Sequence, residues 1–113
     1  MERAELEKLT RDYQMLQEQL QSLAIQKEQF KAQKEELHEA QEAVEKAKGK
    51  IYVTIGGIMV DVDKETANKN IKERQESTAM RLSIVEKQFE DVSKKEQSLR
   101  TDITKALKDF KTE

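Results

Sequence analysis

The sequence contains no cysteine, no proline and no tryptophan, and only three glycines. Without cysteine there is no disulfide scaffold, no thiolate metal site and no thiol nucleophile. Without proline nothing breaks a long helix, since proline removes a backbone hydrogen bond and clashes with the preceding turn. Aromatic residues make up 4% and hydrophobic residues 35% of the 113 positions, a poor supply for a spherical core. Neither sign of charge dominates. With 21 Lys+Arg against 23 Asp+Glu, the formal net charge is −2, which exerts no long-range pull on nucleic acid or an anionic membrane surface. No apolar run approaches the roughly 20 residues of a membrane helix, and Met1-Glu2-Arg3-Ala4-Glu5 opens no apolar leader. A soluble, cytoplasmic protein is the expectation.

What the sequence does have is charge, at 39% of its residues, and a strict apolar period. Charge alone would fit a disordered chain, but the period and the lack of proline do not. All three glycines (Gly49, Gly56 and Gly57) fall in one short window, so the chain reads as helix, brief interruption, helix. In the first segment, steps of three and four from Leu6 visit Leu9, Tyr13, Leu16, Leu20, Leu23, Lys27, Phe30, Lys34, Leu37, Gln41 and Val44. This is a heptad seam. Half of it is wholly apolar, and the other half turns polar at Lys27, Lys34 and Gln41. In the last segment Ile71, Gln75, Thr78, Leu82, Val85, Phe89, Val92, Glu96, Leu99, Ile103, Ala106 and Phe110 keep the same rhythm. Asp63 stands before that helix as its expected N-cap. The expected boundaries are 1–49 for helix one, 50–62 for the interruption and 63–113 for helix two, within one unit of 1–113.

The interruption reads Ile51-Tyr52-Val53-Thr54-Ile55-Gly56-Gly57-Ile58-Met59-Val60-Asp61-Val62. Two β-branched runs around Gly-Gly predict a two-residue hairpin, because a type I′ turn needs positive φ at both central residues. That turn pairs Ile55 with Ile58, Val53 with Val60 and Ile51 with Val62, and puts all six side chains on one face. It also reverses the chain, so that Val44 comes level with Ile71, Leu23 with Val92, and Leu9 with Ala106. The predicted fold is mainly α: a long antiparallel coiled-coil hairpin closed by a single β-hairpin.

A lone two-stranded hairpin is marginal in water. Burial of its six Ile and Val side chains would be worth roughly 9–18 kcal/mol gross, and a helix pair is too narrow to supply that cover. Ile51, Val53, Ile55, Ile58, Val60 and Val62 are therefore the candidate subunit-assembly residues, with hairpins from several chains joining into a larger sheet or barrel that also removes the edges. At the open end Leu6, Leu9, Ile103, Leu107 and Phe110 come together. Coil ends fray, so these residues either form a mobile apolar patch or simply close the coil. No catalytic constellation is present. His38 with Glu42 offers two ligands on an exposed helix, too few for a metal. Neither Gly49-Lys50 nor Gly56-Gly57 has phosphate-loop spacing, and no basic cluster carries interleaved aromatics for nucleic acid.

The hairpin segment continuing into Val62-Asp63-Lys64-Glu65, set between two heptad helices with Arg81-Leu82 and Glu86-Lys87-Gln88 in the second, resembles the β-type subunit of prefoldin over essentially the whole chain. Gly57 stands where that family often has Asn, a harmless change for a turn needing positive φ. The compact length resembles the archaeal members. The resemblance implies a heterohexamer of two α-type and four β-type subunits built on β-barrels, since α-type subunits carry two hairpins and this chain one. It also implies coil tips that hold non-native proteins (here Leu6, Leu9, Ile103, Leu107 and Phe110) and deliver them to a group II chaperonin without ATP. No cofactor, metal, nucleic acid or membrane is expected. The competing reading is a structural coiled-coil adaptor or scaffold subunit that pairs permanently with one folded partner.

Overall fold

A computed structural model describes the backbone of residues 2–112 and the side chains of residues 2–109. The element order is α1 (Arg3–Lys46), β1 (Ile51–Ile55), β2 (Ile58–Val62) and α2 (Lys64–Thr112). This is the predicted coiled-coil hairpin, two long helices joined by one antiparallel β-hairpin. Helix α1 stops at Lys46, ahead of Gly49, in a final turn where the Ala47 N–H donates to the Val44 carbonyl at 3.2 Å. The Lys64 Nζ donates to the Glu45 carbonyl oxygen at 2.7 Å, so a cation from the start of α2 caps the negative end of α1. Asp63 is the N-cap of α2, its Oδ1 accepting from the Thr66 N–H at 2.6 Å. The Thr66 side chain, together with that N–H bond, holds the Asp63 carboxyl below its ordinary range.

The strands pair as Ile51↔Val62, Tyr52↔Asp61, Val53↔Val60, Thr54↔Met59 and Ile55↔Ile58. Gly56 and Gly57 make the turn at φ 55° and 83°. A Cβ at either position would meet nothing within 4 Å, so the demand there is conformational and not steric crowding. Gly56→Val is expected to destabilise the hairpin by about 1–2 kcal/mol, while Gly56→Asn, which tolerates that φ, should cost much less. Thermal melting of the two variants side by side checks this.

The chain forms two compact units. One holds α1 from Glu28 onward, both strands and α2 as far as Ser83. Its core is Val44, Ala67 and Ile71, all buried, with Ala40, Ile51 and Val62 packed against them. Gln75 Nε2 donates to Gln41 Oε1 at 3.2 Å, which makes a polar layer of the two seam glutamines. The other unit holds α1 up to Lys27 and α2 from Ile84. In it Leu23, Val85, Val92, Glu96 and Ala106 are buried, and the Lys27 ammonium lies 5.4 Å from the centroid of the Phe89 ring. That contact lets a lysine occupy a seam position, its stem covering apolar surface while its charge meets the ring face. In both units the heptad positions expected from the sequence turn inward among the described side chains, with the exception of Lys34, which stays exposed.

Candidate functional site

The six apolar residues of the hairpin divide into two groups. Ile51 and Val62, the pair nearest the helices, pack on the chain's own core of Val44, Ala67 and Ile71. Val53 is half-buried, whereas Val60, Ile55 and Ile58 are exposed, Ile58 at 68%. The sequence period puts all six on one face without indicating that its base is covered by the chain itself. On the opposite face Tyr52 and Met59 are also exposed. The two strands form the whole sheet, so each has an outer edge whose N–H and C=O groups lack a ladder partner. Lys50 and Asp61, 3.9 Å apart at the base of the hairpin, are the charges beside this surface.

The second candidate surface lies in the unit that contains the ends of the helices. Leu6, Leu9 and Ile103 are half-buried, and Leu107 is 42% exposed. The side chain of Phe110 lies outside the described residues. Leu6 sits in a shallow groove with Arg3, Glu7, Thr10 and Arg11, and Arg3 pairs with Glu7 at 3.5 Å. Apolar area is thus ringed by charge, which keeps an uncovered patch in solution.

Further along the same unit the seam carries a polar network that the sequence pattern does not reveal. Glu96 is only 7% exposed. The Tyr13 hydroxyl donates to its Oε1 at 2.8 Å, and Arg100 Nη2 donates to its Oε2 at 2.9 Å. Gln17 Nε2 completes the chain by donating to the Tyr13 hydroxyl oxygen at 3.1 Å. The bond from Tyr13, with help from Arg100, holds the Glu96 carboxyl below its ordinary range. The same bond to Glu96 pushes the Tyr13 phenol up. A glutamate at a heptad position is ordinarily read as a weak point; the one signal in the sequence is a tyrosine among the leucines of the facing seam.

Nothing in either surface is arranged for bond-making chemistry. His38 pairs with Glu42 at 3.2 Å on an exposed face. Among the described residues no group of three or more His, Cys, Asp or Glu side chains is placed to hold a metal ion. Nor, among those residues, is any helix long and apolar enough to cross a membrane.

Comparison with known proteins places these surfaces in context. The family described as "Prefoldin subunit" matches residues 7–110. Among solved structures, the prefoldin beta subunit from Thermococcus strain KS-1 is similar, with a TM-score of 0.82 and 26% identity over 91% of this chain and 92% of that one. The prefoldin beta2 subunit from the same strain has a TM-score of 0.72 at 16% identity, covering 79% of this chain and 97% of its own. At that identity the second likeness speaks for the fold alone. No curated protein matches the sequence.

Proposed function

Because this chain belongs to the prefoldin subunit family, a family of hetero-oligomeric chaperones and not of enzymes, we propose that it is the β-type subunit of a cytoplasmic heterohexamer that captures non-native proteins. Two α-type and four β-type chains would join through their hairpins, with Val53, Ile55, Ile58 and Val60 buried between subunits and Ile51 and Val62 anchoring each hairpin to its own helices. Clients would be held at Leu6, Leu9, Ile103, Leu107 and Phe110 and passed to a group II chaperonin.

The observation that carries this reading is that two apolar surfaces lie in different units of the chain. The exposed apolar part of the hairpin belongs to one unit, and the loosely covered residues near both ends of the chain belong to the other. Assembly and capture therefore need not compete for the same side chains. Capture through apolar area is non-directional and tolerant of sequence, which suits partners that share only their unfolded state.

The test is light scattering from several unrelated denatured proteins in the presence of the assembled complex. Suppression of aggregation for all of them supports the reading; indifference to all of them would leave a scaffold subunit with one folded partner. Capture is also expected to be unchanged in EDTA and without ATP, because no metal cluster is placed among the described residues and the glycines lack phosphate-loop spacing. A strict dependence on either, measured in the same assay, would count against this mechanism.

A further inference from the structure

We propose that the hydrogen-bonded chain Gln17–Tyr13–Glu96–Arg100 is a clasp that sets how far the terminal part of the coil can open. Apolar packing changes on either side of it. Away from the termini Leu23, Val85 and Val92 are buried, with Leu20 and Phe89 half-buried among them. Toward the termini Leu6, Leu9 and Ile103 are only half-buried, Leu107 is exposed, and the buried seam residue is the small Ala106. Beyond the clasp no large apolar side chain of the described residues is buried.

Its construction suits that duty. A buried carboxylate is costly unless its lone pairs are satisfied, and both oxygens of Glu96 are: one by Tyr13 of α1, the other by Arg100 of α2. Separating the helices at this level would strip Glu96 of its cross-helix donor and leave the phenol of Tyr13 without its acceptor. Apolar layers loosen gradually, whereas a charge-assisted hydrogen bond is short and directional. The network therefore marks a boundary beyond which fraying is cheap and before which it is not.

The charged and titratable groups facing Glu96 are the Tyr13 phenol across the seam and the Arg100 guanidinium one turn along its own helix. The depressed Glu96 contributes stability that is complete above the ordinary carboxylate range and is lost as pH falls through its lowered value. The raised Tyr13 contributes stability that is complete below the ordinary phenol range and is lost as pH rises through its raised value. The clasp is accordingly shut across the whole neutral window and yields at either extreme.

The consequence for clients rests on the capture surface proposed above, but the clasp itself is tested without any client. Hydrogen exchange on the whole 113-residue chain in its assembled complex compares wild type with Tyr13→Phe and Glu96→Gln. Amides from Arg3 to Leu20 and from Val92 to Thr112 should exchange about tenfold faster in Tyr13→Phe, while those of the hairpin unit stay unchanged. Wild type should also lose protection in the terminal segments as pH falls through the carboxylate range, and Glu96→Gln should lack that acid limb. Unchanged terminal exchange in both variants, or an equal rise in both units, would overturn the clasp. If the clasp holds and yet Tyr13→Phe leaves client protection as in wild type, the capture surface is what has been misplaced.

Discussion

A chain carrying both Val53→Asp and Val60→Asp is expected to keep its helical circular dichroism and to lose entry into the large assembly. The two valines are direct cross-strand partners, so the double variant sets two carboxylates opposite one another on the pleated face. In the isolated chain this is tolerable, because Val60 is exposed and Val53 only half-buried, and water still reaches the charges. In an intersubunit sheet each carboxylate would be taken from water without a partner, at a cost of several kcal/mol apiece. In the proposed barrel several copies would multiply that cost. The helices should not notice. Their core contacts with the hairpin come from Ile51 and Val62, which the variant leaves in place. Sedimentation of the variant mixed with the proposed α-type partner decides the matter, and a full-size complex would refute the hairpin interface.

The split of the hairpin face into a covered base and an open remainder also marks the limit of what the amino-acid pattern encodes. The hairpin itself is legible because its signals are local: alternation, Gly-Gly, and the positive φ found at both glycines. Its register follows from the turn, and the seam follows from spacing, down to the inward turn of Thr78 and Gln75. The covering of Ile51 and Val62 is not legible, since a period of two assigns a face but does not say how much of it the rest of the chain reaches. The Tyr13–Glu96 bond is hidden for a different reason. Its partners lie 83 residues apart, and each is tied to a residue one turn along its own helix, Gln17 and Arg100 respectively. Matching seam residues level by level pairs neither with the other. Lys27 shows the reverse case: polar in the sequence pattern, it holds its seam position through the ring of Phe89.

Deleting residues 1–9 and 103–113 should leave the complex assembled but remove most of the protection of denatured clients proposed for it. The deletion takes away Leu6, Leu9, Ile103, Leu107 and Phe110 together. It spares Tyr13, Glu96 and Arg100, so the coil should end at its clasp and not unravel. It also spares every hairpin residue, so an assembly held by the hairpins is untouched. A gentler variant separates loss of surface from loss of coil. Leu107 is 42% exposed, so Leu107→Ser removes apolar area that a client could cover without shortening the coil. Covering that remaining area would be worth about 1 kcal/mol, or about fivefold in affinity at one tip. Tips that engage one client together act by avidity, so small losses at each compound across the complex. The expected order of protection in light scattering is therefore wild type, then Leu107→Ser, then the deletion, with all three sedimenting as full complexes. Intact protection by the deleted form would move the capture surface onto the coil walls or the hairpin body. There the exposed Ile25 and Ile84 on the helices, or Tyr52 and Met59 on the outer face of the sheet, would be the next residues to replace.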